Sequence, residues 1–423
     1  MTVRIVSAGP ALRTATEPSL RTQVLSFALA KAVPGAVGLL GVLALVDVLP
    51  PPAYAMYGLS VASALVAVNA TGGWLVQSTL RYSGHPDLGF ENVPTGLVAT
   101  CATGGAVVSA LTLGALGHGV AITSSQLAAT GALAACWTVH NIRLAGLQAR
   151  GSGATFARAE IVRGLVTLAL SVSAAALFQR ADAAVAATAV ATAVGTVGIT
   201  LPTGSARTAC NPDARKLLIP WLAFGAPLSL WLSGSAVLQT VDRTILAPEV
   251  GLDRLGDLTG AYELVTRGTA MVMAPLVLAT HARTTWAWNN HRPAEARLVA
   301  KLLLRWQLGL GATILLLAVP ASAVIAHLVP AAAFLTDPVL VLPLAAAAVV
   351  WQVALSAHRP LERDRRTGAM LLALAGAIVV KVAVTVGLAG ALGVAASGFA
   401  TLAAGLFYIA ACAWAASRKA ATT

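Results

Sequence analysis

Charge is scarce in this 423-residue chain: Asp, Glu, Lys and Arg together make up 10% of it, against about 25% in an average soluble domain. There is too little polar side chain to cover a water-facing surface, so a soluble globular protein is excluded. Acidic residues are rarer still, 16 in all. No acidic DxD-type motif, no HExxH and no convincing nucleophile triad occurs, and no Gly-rich phosphate loop. A nucleotide site, a metal centre and a hydrolytic enzyme are therefore not expected, and no cofactor is implied. The four cysteines, Cys101, Cys136, Cys210 and Cys412, form no CxxC pair, which leaves no disulfide or metal framework. The N-terminus, "MTVRIVSAGPALRTATEPSLR", lacks the apolar core of a cleavable signal.

What is abundant is apolar sequence. Hydrophobic residues are 57% of the chain and the mean hydropathy is +0.80. A transmembrane helix needs about 20 apolar residues. About twelve such runs are found, at 22–46, 54–79, 94–116, 125–145, 159–179, 183–201, 217–246, 260–282, 298–328, 338–357, 368–389 and 394–416. The spacing predicts an all-α polytopic membrane protein with short loops. The net charge of +12 then reads as the excess of Lys and Arg in cytoplasmic loops rather than as a nucleic-acid surface. With both termini inside, the outer loops hold only Arg180, Arg243 and Arg254, while most of the 28 basic residues fall on the inner side. Gly72-Gly73 and Gly104-Gly105 read as close helix packing.

The two halves repeat one another. Each first span carries a proline, Pro34 and Pro227, and ends on an aspartate, Asp47 and Asp242. Each leads to a tyrosine, Tyr54 or Tyr57 in one half and Tyr262 in the other. Each second span closes near a histidine, His85 and His281. An even number of spans per half makes the repeat parallel, with a substrate cavity expected between the halves. The divisions are an N-terminal segment 1–21, a six-helix bundle 22–201, a linker 202–216, a second six-helix bundle 217–416 and a tail 417–423.

The pattern "DRTIL…G…GAYELV", the run through "PPPAYAMYGL", and the Arg-rich connector "IRLAGLQARGSGATFARAEIVRGL" resemble polysaccharide flippases. These are the Wzx-type O-antigen and exopolysaccharide flippases of the multidrug/oligosaccharidyl-lipid/polysaccharide exporter (MOP) superfamily. The segment "APEVGLDRLGDLTG" departs from the resemblance, being a longer and more acidic connector than usual. The resemblance implies a MATE-like V-shaped transporter in a bacterial inner membrane. Its cargo would be a polyprenyl-phosphate-linked oligosaccharide, with membrane lipid around it and a polysaccharide polymerase or glycosyltransferase as partners. A drug or metabolite antiporter of the same fold, or a membrane enzyme of polysaccharide assembly, are the alternatives.

Three cations lie inside spans: Lys31, Arg267 and Lys381. Facing lipid, they would together cost of order 8–10 kcal/mol. They are therefore candidates for a cationic, substrate-binding cavity, with snorkelling or a partner on another helix as the bland alternative. Arg267 has a local partner, since Glu263 lies one helical turn before it. Asp47 and Asp242-Arg243, at the outer ends of equivalent spans, are candidates for a gate or for simple helix ends, and Glu263 for a coupling group on the cavity wall. Pro34 and Pro227 are candidate hinges, because proline removes an intrahelical bond. His140 and Asn141 sit near the inner end of the fourth span, as a polar helix end or a proton carrier. Reporter fusions at Gly204 and Thr423 are expected to read cytoplasmic and one at Pro51 external. Any one inverted would overturn this orientation.

Overall fold

The computed structural model describes residues 20–82, 93–117, 119–150, 153–197, 199, 214–290 and 292–420. Side chains are described throughout these except at 20–33, 153–154, 214–217, 278–279, 281–282, 285–286, 289 and 419–420. The segment 1–21 and the linker 202–216 fall almost wholly outside, as do His85 and the side chains of Lys31 and His281. Among the described residues the chain is all helix, without strands.

The helices are α1 (Leu20–Val48), α2 (Pro51–Thr71), α3 (Gly73–Arg81), α4 (Thr95–Leu116), α5 (Ser124–Ala149), α6 (Gly153–Phe178) and α7 (Ala181–Val197) in the first half. In the second half come α8 (Ala214–Asn289), α9 (Pro293–Leu328), α10 (Pro338–Ala357), α11 (Arg359–Arg363), α12 (Thr367–Leu392) and α13 (Ala396–Ala420). With α3 continuing α2, α11 a short appendage and α8 divided at Gly251, these give twelve spans, in the order the apolar runs predict. Among the described residues, seven stretches are long and apolar enough to cross a membrane by length and composition. Two of those, Leu218–Val277 and Thr367–Arg418, each contain two spans, and Pro338–Arg363 joins α10 to the short α11.

The acidic connector is the main surprise. The expected loop at 247–260 is helical on both sides of a single residue, Gly251. Its φ of 76° lies in the left-handed region, where only glycine rests without a Cβ penalty. Asp253 follows in the first turn of the second arm, where the helix dipole favours an acid. Its charges thus belong to helix termini rather than to an extended loop. Pro34 and Pro227 produce no comparable break: both lie within helix, and Gly251 is the residue of α8 with non-helical dihedrals.

The two halves meet through α1, α2 and the two arms of α8. Gly38 of α1 lies against Arg267 and Gly35 against Met271, so α1 runs antiparallel to the second arm. Gly58 of α2 lies against Arg243 and Gly73 against Ser229, so α2 and α3 run antiparallel to the first arm. The first span of each half thus packs on the second span of the other, which is the exchange a two-fold axis generates. Small residues permit it. A Cβ at Gly225 would stand 2.2 Å from the Trp74 carbonyl oxygen, and one at Gly72 would stand 2.8 Å from Thr138. The close packing expected at Gly72-Gly73 and Gly105 is observed.

The largest core cluster closes the end of the molecule near Pro51 and Gly251. It joins Val42, Leu45 and Leu49 of α1, Tyr54 and Leu59 of α2, and Leu246, Leu255, Leu258 and Tyr262 of α8. The outward faces of the helices are apolar: Leu177, Leu308, Leu316 and Leu372 are all exposed, as a lipid-facing surface requires. Gly225→Ala is expected to lower the thermal midpoint of the detergent-purified protein sharply. Gly114→Ala, where nothing lies within 4 Å, is expected to hold or raise stability by up to about 1 kcal/mol. Equal midpoints would show that the α3–α8 contact is not tight.

Candidate functional site

Two cavities lie side by side at the junction of the halves. One, of about 350 Å³, is walled by α8, α10 and α13, and includes Arg243, Tyr262, Trp351 and Gln352. The other, of about 170 Å³, is walled by α1, α2, α6 and α7, and includes Pro34, Tyr57, Glu160, Arg163 and Thr188. Val61, Trp137, Glu263 and Arg267 line both. The second arm of α8 therefore places Glu263 and Arg267 on the partition.

The expected pair forms: Arg267 Nε donates to Glu263 Oε2 at 2.8 Å. Arg267 is 45% exposed, so it keeps access to the cavity. Glu263 has a second basic neighbour, because Arg243 Nη2 lies 3.6 Å from Oε1. The carboxylate is held between two guanidinium groups, one from each arm of α8. Arg243 is itself 1% exposed and lies 4.9 Å over the ring of Tyr262. Among the described residues its Nε and Nη1 have no hydrogen-bond acceptor. A buried guanidinium with two unused donors is costly unless something fills the place beside it.

Lys381 departs from its expected role. It is fully buried, its ammonium donates to the Leu238 carbonyl at 2.6 Å, and it lies 3.0 Å from Asp242 Oδ1. Ser397 donates to the other Asp242 oxygen. Among the described residues Oδ1 receives no well-directed hydrogen bond, so charge rather than geometry holds Lys381 to Asp242. The reading of Lys381 as an unpaired cavity cation is corrected: its acid lies on another helix, out of reach of any local sequence pattern. The reading of Asp242-Arg243 as a water-accessible gate is corrected too. Both are buried, because the first arm continues about two turns beyond them to Val250. Asp47, by contrast, is exposed at the end of α1, so the two aspartates are not equivalent. Pro34 lines the smaller cavity; Pro227 lines neither.

Sequence reasoning missed Glu160 and Arg163. Arg163 Nε and Nη2 donate to the two Glu160 oxygens at 2.9 and 3.1 Å. The signal was a Glu and an Arg at i and i+3 in an apolar run, obscured by the basic connector before it. His140 reaches the same Glu160 at 3.0 Å. Among the described residues no group of three His, Cys, Asp or Glu side chains is placed to hold a metal.

No protein-family description and no curated protein sequence matches the chain. Solved structures do. A multidrug resistance MATE family transporter of the MOP superfamily, in its inward-facing conformation, superposes with a TM-score of 0.66 at 16% identity, over 93% of this chain and 98% of that one. The chain has a MATE-like fold. The lipid II flippase MurJ, inward closed, gives 0.67 at 10% identity over 93% and 87%. A eukaryotic MATE transporter gives 0.64 at 13% identity over 96% of each chain. The identities are low, so the shared property is the MATE-like fold.

Breaking the Lys381–Asp242 pair on one side is expected to be severe. Lys381→Met strands a buried carboxylate, at a cost of about 3–5 kcal/mol. Lys381→Met with Asp242→Asn removes both charges and is expected to recover most of the thermal midpoint. A double variant no more stable than the single would show that the two charges are not coupled.

Proposed function

We propose that this protein flips a polyprenyl-phosphate-linked oligosaccharide from the cytoplasmic to the outer leaflet of a bacterial inner membrane, without catalysing a covalent step. The observation that carries the reading is Glu263 held between Arg243 and Arg267 at the partition of the two cavities. A carboxylate gripped by two guanidinium groups marks an anion site, and the same forks suit a phosphate. In this reading Glu263 is an internal anion that the substrate phosphate displaces. Arg243 then gains acceptors for its two unused donors. Lys31, on the same span as Pro34, is proposed as a further phosphate contact, while Lys381 acts only by holding Asp242.

A groove beside the site supports a lipid-borne cargo. It has a volume of about 610 Å³ and is lined by Met271, Val272, Pro275 and Leu276 of α8 and by Arg305, Trp306, Gly309 and Leu310 of α9. Met271 is one helical turn from Arg267 and lies against Gly35 of α1, so the groove borders the seam between halves. A polyprenyl tail lies there while the phosphate and sugars occupy the cavities. Each six-helix half, 22–201 and 217–416, moves as a unit, with both termini cytoplasmic and Pro34 and Pro227 as flexing points. A polymerase or glycosyltransferase supplies or consumes the cargo at the membrane.

The alternative is an exporter of organic cations, favoured by Glu263 and by the aromatic walls Trp137, Tyr262 and Trp351. The two readings separate on Arg243. Arg243→Gln is expected to weaken binding of a short polyprenyl diphosphate to the purified protein by about ten- to a hundredfold, the loss of charged hydrogen bonds. Glu263→Gln is expected to tighten it. If Glu263→Gln instead abolishes binding of a lipophilic cation, and the diphosphate never binds, the substrate is cationic and the flippase reading falls.

A further inference from the structure

Another cavity, of about 230 Å³, follows the two central ones along the same helices. On α2, Val61 and Leu65 line the larger cavity, and Val68 and Asn69 line this one. On α5, Trp137 gives way to Thr138 and Asn141, and on α8, Ala236 and Gln239 give way to Leu232. Asn69 stands eight residues beyond Val61, about 12 Å along the helix axis.

Its lining is of a different kind. Asn69 of α2, Gln77 of α3, and Asn141 and Gln148 of α5 all reach it, and among the described residues no charged side chain does. The whole chain holds only 14 Asn and Gln, so four at one pocket is a concentration. Helical spacing produces it. Asn141, Leu144, Ala145 and Gln148 form one stripe of α5, at i, i+3, i+4 and i+7. Asn69, Gly72, Gly73 and Val76 repeat that spacing where α2 passes into α3, and Gln77 follows. The floor between the stripes is built tightly and without side chains. A Cβ at Gly72 would stand 2.8 Å from Thr138, and one at Gly73 would stand 3.1 Å from Ser229 Oγ. Ser229 also donates to the Asn69 carbonyl, which ties this turn to α8. Val76, Leu144, Leu232 and Phe156 add apolar wall.

None of the four side-chain amides has a hydrogen-bond partner among the described residues. Thr138 gives its own hydroxyl proton to the Ala134 carbonyl at 2.8 Å. Each amide brings two N–H donors and a carbonyl acceptor, so the pocket offers hydrogen bonds of both senses and no charge. A phosphate finds no cation here, and an organic cation finds no acid. A hydrocarbon tail would leave the amides dry and unpaired, which is costly. A ring whose hydroxyls both donate and accept, and whose C–H face is apolar, matches both kinds of wall.

We propose that this pocket is a sugar subsite, holding one uncharged sugar ring by its hydroxyls. As the seat of the cargo's own sugar it rests on the flippase reading; as a site for a neutral sugar it rests on the pocket alone. Asn69 and Asn141 stand at the end nearest the central cavities and hold the side of the ring closest to the phosphate. Gln148, which is exposed, forms the far rim.

The test uses the full chain in lipid nanodiscs and saturation-transfer NMR. The probes are the free methyl glycosides of glucose, galactose, mannose and N-acetylglucosamine. At least one is expected to receive saturation from the protein. Asn141→Leu keeps the size of the side chain and removes its amide. It is expected to weaken that probe about two- to tenfold, and Asn69→Leu likewise. Should Asn141→Leu fail to fold, Gln77→Leu on the facing wall carries the same expectation. Gln239→Leu in the larger cavity is expected to leave the probe's affinity as it is. Binding of a bare short polyprenyl diphosphate is measured alongside. A sugar signal that the Asn variants weaken, with no diphosphate binding, keeps the subsite and removes the flippase reading. No signal from any of the four glycosides overturns the subsite even if the diphosphate binds, and the amides then hold water alone. A signal weakened by Gln239→Leu and untouched by Asn69→Leu and Asn141→Leu overturns it too.

Discussion

A charge inside a bilayer must find its counter-charge within the protein, because the insertion cost of about 2.5–3.5 kcal/mol per residue is too large to leave unpaired against a folding free energy of only about 5–15 kcal/mol. Much of the central architecture follows from that demand. Lys381 on α12 reaches Asp242 on the first arm of α8, and Ser397 of α13 completes the set. Three helices of the second half are thereby tied at one buried point. Glu160 does the same for α5 and α6, and His140 extends the tie to α7 through Thr196. Glu263 then joins the two arms of α8 through Arg243 and Arg267. In each half the polar ties are interior and the apolar faces are outside, the reverse of a water-soluble domain.

Small residues make the ties reachable. The first half offers α-helical faces where glycine replaces a side chain at the crossing: Gly38 under Arg267, Gly58 beside Arg243 and Thr259, and Gly195 against Arg163. Removing the Cβ brings the backbones close, which shortens the reach that a guanidinium or an ammonium needs to find a partner on the neighbouring helix. Electrostatics and packing are therefore not separate contributions here. The long basic side chains lie in the space the glycines vacate.

The fold was legible in the sequence because its signal is one-dimensional. Apolar runs of the right length mark spans, and most boundaries fall within a few residues of the helix ends. The site was legible only where partners are close along the chain. Arg267 and Glu263 share a helix face and were paired correctly. Lys381 and Asp242 are 139 positions apart and their contact depends on how α12 packs on α8, a matter of tertiary structure that no local spacing records. Asp242-Arg243 misled for a related reason. A charged doublet near a run's end normally reaches water, but the first arm extends past it because Gly251 replaces a loop. His140 drew attention as a lone polar residue. Its partners, Glu160 and Thr196, lie on two other helices, so no local spacing marks them.

Under the proposed function, the position of Glu263 between two arginines has a consequence for the return stroke. A carrier whose empty site exposed two uncompensated cations would have to drag that charge through the low-dielectric middle of the membrane each time it reset. Here one tethered negative charge sits at the partition and offsets one of the two positive charges, so under the proposed function the unloaded molecule would carry less uncompensated charge while it reorients. In that proposed cycle an anionic cargo would exchange one anion for another rather than add charge to a bare site. Much of the electrostatic work of loading would thereby be offset by releasing the tethered group, which would favour rapid turnover over tight retention.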